Sequence, residues 1–225
     1  MNMLFASSAR VMLVLATAVS AVSAAPALDP VPTNGVARLL EGNARYAAAR
    51  AKHPRQDNSR RREIASSQHP FAVVVSCSDS RVPPEVVFDQ GLGDIFVVRT
   101  AGHVVDSVAM GSIEFAVAKL GVRSIFVVGH ERCGAVQAAL EHATVPGSIG
   151  VILESIGPVV GGPEKATPAT MERAVERQVG AVARQLRETS PVLAPLVNDG
   201  SLAVGGGVYD LDTGKVTPIA PAAGN

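Results

Sequence analysis

Two cysteines and one histidine stand out because each follows a segment built to be a buried strand. Cys77 opens the run Cys77-Ser78-Asp79-Ser80-Arg81, directly after the apolar stretch FAVVVS at 71–76. His130 and Cys133 lie in Gly129-His130-Glu131-Arg132-Cys133-Gly134, directly after IFVV at 125–128. Two thiolates and one imidazole are a borderline-soft donor set that suits zinc. The H-x-x-C spacing lets His130 and Cys133 converge where a strand turns into a helix. Cys77 arrives from a different strand, as a tetrahedral site requires. There is no third cysteine, and the other histidines do not stand at strand ends. The fourth position is therefore open to water or to the carboxylate of Asp79. An open position lets zinc lower the pKa of bound water toward neutrality. The competing reading is a single structural disulfide in an oxidising compartment; the flanking residues argue against it.

Two thiolates cancel the formal charge of the ion and make it a poorer Lewis acid than three imidazoles would. Something else must then favour hydroxide. Asp79 and Arg81 stand two apart in an irregular turn, where bidentate pairing would keep the carboxylate ionised and aimed. Released from Arg81, Asp79 could swing onto the metal and close it.

These residues need a scaffold that brings several strand ends together. The runs at 71–76, 95–99 (IFVVR) and 125–128 are unbroken and β-branched, the pattern of strands covered on both faces, and Gly129 is expected to end the third. Helical stripes fall at 34–51, 107–120, about 133–141, 149–160 and 171–187, with Gly121 closing the second. Residues 52–70 read as a loop with a short helix, and 202–209 followed by DLDTGKV reads as strand, turn, strand. The alternation predicts an α/β fold: a mainly parallel central sheet flanked by helices. Ligand sites in such sheets lie beyond the carboxyl ends of the strands. Phe71, Phe96, Phe115 and Phe126 are expected in the core, whereas Phe88 is left open between a pocket and an interface.

The chain has 225 residues, 47% hydrophobic and 18% charged, with 20 basic and 20 acidic residues. That supports one globular domain over residues 34–225 and gives no electrostatic footprint for nucleic acid. Residues 1–24 differ. Arg10 precedes an apolar run from Val11 to Val22, and Val22-Ser23-Ala24 supplies the small residues of a cleavage site. This reads as a signal peptide, with an uncleaved anchor as the alternative. Residues 25–33 are a proline-rich lead-in. The mature protein is expected to be periplasmic or secreted, without membrane attachment.

CSDSRV from Cys77, RTAGH from Arg99 and GHERCGAV from Gly129 together resemble the β-class carbonic anhydrases, as do LLEGNARY near Leu39 and GGGVYDLDTGKV near the C-terminus. The resemblance implies one Zn²⁺ per chain on Cys77, His130 and Cys133, and a catalytic dyad of Asp79 and Arg81. It implies that the backbone of Gly102 lies near the substrate. The implied reaction is reversible hydration of CO₂ to bicarbonate and a proton by zinc-bound hydroxide. It also implies a homodimer or a dimer-based assembly in which the N-terminal helix embraces a neighbour. Rival functions are hydrolysis of CS₂ or COS by the same site, or an exported zinc-binding protein without turnover. The family usually carries asparagine where this chain has His103. Here the readings are a proton shuttle or a solvent-exposed loop histidine without a role.

Overall fold

The computed structural model describes Met1 and residues 34–219. Strands β1 (Ala72–Cys77) and β3 (Ser124–His130) are buried at every position. Their centres, Val73-Val74-Val75 and Ile125-Phe126-Val127-Val128, are unbroken apolar runs dominated by β-branched side chains, without the polar alternation of a strand that faces water. They lie side by side and parallel, with Val73 opposite Ile125 and Ser76 opposite Val128. Strand β2 (Ile95–Thr100) pairs with the outer side of β1. Strand β4 (Ala203–Tyr209) runs parallel to β3, and β5 (Val216–Pro218) closes the sheet antiparallel to β4. The order is β2-β1-β3-β4-β5, the mainly parallel α/β sheet that the alternation predicted.

Helix α1 (Asn34–Ala47) reaches one face, where Val36 and Phe126 meet over Gly205. Phe88, just past the short helix α3 (Pro84–Val87), packs edge-on against Phe126 at 5.9 Å and is wholly buried. The opposite face is covered by α7 (Pro168–Glu188). Thr167 and Thr170 form its capping box, Pro168 begins it, and Met171, Val175, Val179, Val182 and Leu186 are buried along one stripe. The remaining helices are α2 (Asn58–Glu63), α4 (Ser107–Leu120), α5 (Gly134–Leu140), α6 (Ile149–Val160) and α8 (Leu193–Asn198). Asn43 ties three elements together. Its amide donates to the carbonyls of Val87 and Gly214, and its oxygen accepts from the N–H of Val216.

Several expectations are corrected. β2 is half-buried throughout rather than covered on both faces, because it is the edge of the sheet. Gly129 does not end β3; the strand runs on through His130, paired with Tyr209. The α1 helix stops at Ala47, not Ala51, where the chain turns and Ala49 takes a positive φ. Phe115 is exposed on α4, on the same outward-facing helix as exposed Val108. Helix α8 had no counterpart in the sequence reading. The signal-peptide and lead-in segments lie outside the described residues.

Candidate metal centre

From β1 the chain passes through α3 to β2, then returns through α4 to β3 on the other side of β1. The crevice between the carboxyl ends of β1 and β3 is thus where the strand order reverses, the place where an open sheet accepts a ligand. Cys77 is the last residue of β1 and His130 the last of β3. Arg132 adopts a positive φ of 52°, and the turn it makes delivers Cys133 to the N-cap of α5.

Cys77, His130 and Cys133 are all buried, and their ligand atoms lie within 4.8 Å of one another. The two sulfurs are 4.0 Å apart and unbridged. The ring of His130 is oriented by its Nδ1, 2.8 Å from the carbonyl oxygen of Glu131. A carbonyl only accepts, so Nδ1 carries the proton and Nε2 presents a lone pair. That buried Nε2 has no hydrogen-bond partner. An unsatisfied ring nitrogen facing two sulfurs is costly unless a cation completes it, so the residues fit a metal ion. The Cys77 thiol is pulled far below its usual range, first by the hydrogen bond from Cys133, with the N–H groups of Asp79 and Gly102 adding. The same shared proton pushes Cys133 up.

Asp79 sits beside this cluster. Arg81 grips it with both ends of the guanidinium, Nε to Oδ1 at 2.9 Å and Nη2 to Oδ2 at 2.7 Å, and its backbone N–H adds a third bond at 2.9 Å. The Arg81 hydrogen bonds hold the Asp79 carboxyl well below the usual carboxylate range. Oδ2 lies 3.8 Å from His130 Nε2. The carboxylate therefore faces the cluster without joining it.

Gly102 closes the site. Its N–H donates to the Cys77 sulfur at 3.4 Å. Its φ of 62° is left-handed, and a Cβ there would lie 2.5 Å from Ile156 Cδ1 and 3.2 Å from Ala135 Cβ. Only glycine fits both the conformation and the space.

His103 corrects both sequence readings. The loop after β2 tucks beneath α7, so the ring is wholly buried rather than exposed, with Cε1 close against Gly129. Neither ring nitrogen reaches water or a polar partner, and a shuttle must exchange protons with solvent. The structure brings Cys77, His130 and Cys133 together with the Asp79–Arg81 pair beside them, and sets Gly102, which only the family resemblance had pointed to, against the Cys77 sulfur.

Two residues escaped it. Arg99 clamps the turn after β1, donating to the carbonyls of Cys77 at 2.9 Å and Asp79 at 2.7 Å. Gln178 donates to the carbonyl of Gly102 at 3.3 Å. Gln178 left a signal in the sequence: it is a polar residue on the apolar stripe of α7.

Fold and site together define an α/β protein with a Cys₂His cluster able to hold a metal ion at its switch point and an arginine-locked carboxylate alongside. Residues 72–216 match the family model described as carbonic anhydrase. Carbonic anhydrase 2 of Mycobacterium tuberculosis is 43% identical over 190 residues, covering 81% of this chain and 92% of that protein. A β-carbonic anhydrase of Aspergillus fumigatus superposes with a TM-score of 0.68 at 26% identity, over 84% of this chain and 92% of that one. One of two tetrameric β-carbonic anhydrases from Sordaria macrospora gives a TM-score of 0.66 at 25% identity, over 83% and 98%. The chain belongs to the β-carbonic anhydrase family.

Proposed function

We propose that this enzyme catalyses the reversible hydration of CO₂ to bicarbonate and a proton, with one zinc ion held by Cys77, His130 and Cys133. The observation that carries the reading is the lone-pair side of His130 Nε2, buried and unpartnered, converging with two sulfurs beside a carboxylate that Arg81 keeps off the cluster. Zinc, when bound there, supplies Lewis-acid activation of water near neutral pH.

The chain's own residues do the rest. Cys77 and Cys133 supply charge and fix the ion between two strand ends. His130, with its proton committed to Glu131, supplies a neutral ring nitrogen. Asp79, held ionised by Arg81, is too weak a base to keep a proton at neutral pH. Its task is to accept a hydrogen bond from the reacting water and aim a lone pair at carbon. Gly102, Ala135 and Ile156 offer an apolar wall to a substrate that needs no polar recognition. Arg81, half exposed, stands at the mouth, where proton and bicarbonate reach solvent.

We assign export to residues 1–24, on the apolar run and its small-residue ending. A homodimer, or a dimer-based assembly, is supported by the half-buried edge strand β2 and by exposed Val108 and Phe115 on α4. Among the described residues, no helix is long and apolar enough to cross a membrane.

The test is stopped-flow CO₂ hydration on protein whose zinc content is measured in parallel, with CS₂ as a competing substrate. The reading requires one zinc per chain and CO₂ turnover that follows zinc occupancy. Zinc-loaded protein that ignores CO₂, or that prefers CS₂, refutes it. N-terminal sequencing of exported protein, expected to begin near Ala25, tests the leader. Light scattering in solution tests the assembly.

A further inference from the structure

We infer that Gln178 is a positioning residue for the Cys77 thiolate, acting through the backbone of Gly102. This rests on the metal reading of the site. Gln178 is 3% exposed, in the apolar stripe by which α7 covers the sheet. Its Nε2 donates to the Gly102 carbonyl at 3.3 Å, while its Oε1 has no hydrogen-bond partner. A buried amide with half its capacity unmet is a poor core residue, since its orphaned oxygen has lost water without gaining a donor. A position needing only packing would be better filled by leucine or methionine.

The bond it makes accounts for its presence. Gly102 is held at both of its polar atoms: its carbonyl by Gln178, its N–H by the Cys77 sulfur at 3.4 Å. Together these pin the left-handed conformation that aims the N–H at sulfur. The direction of that N–H matters because two thiolates neutralise a divalent ion. A hydrogen bond to one sulfur withdraws charge and leaves the ion a stronger Lewis acid.

The same loop carries its own control. Gln185, two helical turns further along α7, donates to the carbonyl of Val105 at 3.0 Å. Gln185 buttresses the loop without touching the residue that bonds the sulfur. A merely structural role would make the two glutamines equivalent; the positioning role separates them.

The experiment replaces zinc by cobalt(II) in the full protein and records the sulfur-to-cobalt charge-transfer band for wild type, Gln178→Met, Gln178→Leu and Gln185→Leu. Zinc affinity is measured by chelator competition. Losing the N–H···S bond raises the sulfur lone pairs in energy, so the band moves to longer wavelength in both Gln178 variants. Their zinc affinity falls about 10-fold, the lower end for loss of an outer partner of a metal ligand. Gln185→Leu leaves the band in place, whatever it does to thermal stability. A band unmoved in the Gln178 variants, or moved equally by Gln185→Leu, overturns the inference and leaves the proposed function standing. A wild-type protein that takes up no cobalt or zinc overturns both.

Discussion

The substitution His103→Asn tests how the loop beneath α7 is built. His103 is wholly buried, and both ring nitrogens lack partners. Burial, opposed by Cys77 and helped by His130, holds its pKa down to about 4 from an ordinary 6.5. The unfolded chain therefore binds a proton between these values that the folded chain refuses, and stability falls as pH drops from above 6.5 toward 4. Linkage gives a loss of about 2 kcal/mol between pH 7.5 and pH 5 from this one group. Asparagine carries no such charge and tolerates the left-handed φ of 46° at this position. Urea unfolding of wild type and His103→Asn, at both pH values and in excess zinc, isolates the effect. Packing losses in the variant are the same at both pH values and cancel. The stability difference between the two proteins should change by about 2 kcal/mol in favour of the variant at the lower pH. A change under about 0.5 kcal/mol, or an imidazole resonance of His103 titrating near 6.5, would refute a ring sealed from water.

Three further outcomes follow from the geometry. Arg81→Ala frees Asp79 from its bidentate grip, and kcat/KM for CO₂ should fall about 10²-fold in stopped-flow assays, most at the acid end, where the unpaired carboxylate protonates. Asn43→Ala removes three bonds joining α1, the end of α3 and β5. It should cost about 3 kcal/mol in denaturant unfolding, with CO₂ hydration intact at low temperature. Stripping metal with a chelator in air should join the two sulfurs, 4.0 Å apart. Mass spectrometry after alkylation would then find both cysteines blocked, whereas zinc-loaded protein keeps both free; alkylation of both after stripping would count against the convergence of Cys77 and Cys133.

Much of the site was readable because its parts are local. A β-branched run followed at once by Cys77-Ser78-Asp79-Ser80-Arg81 places a cysteine and the Asp79–Arg81 pair at one strand end. The Asp79–Arg81 pair needs only a tight turn. Helix α6 matches its expected span because its signals are short-range: an apolar run bounded by glycines. Periodicity is blind to neighbours. It could not tell that IFVVR lies at an edge, since a β-branched run reads alike whether or not another strand lies beyond it. Phe115 was misplaced for the same reason, an aromatic exposed on an outward-facing helix.

The residue types and spacings alone determined the Cys77, His130 and Cys133 cluster, the strand ends that carry it and the Asp79–Arg81 pair that faces it, because each rests on a handful of consecutive residues. Tertiary structure alone decided the surroundings. It buried His103 beneath α7, turned Arg99 onto the carbonyls of Cys77 and Asp79, and set Gln178 against Gly102, 76 positions away in the chain. Such contacts depend on which helix covers which strand and at what register. Those are properties of the packed whole, where excluded volume and buried hydrogen bonds choose among arrangements that the local sequence permits equally.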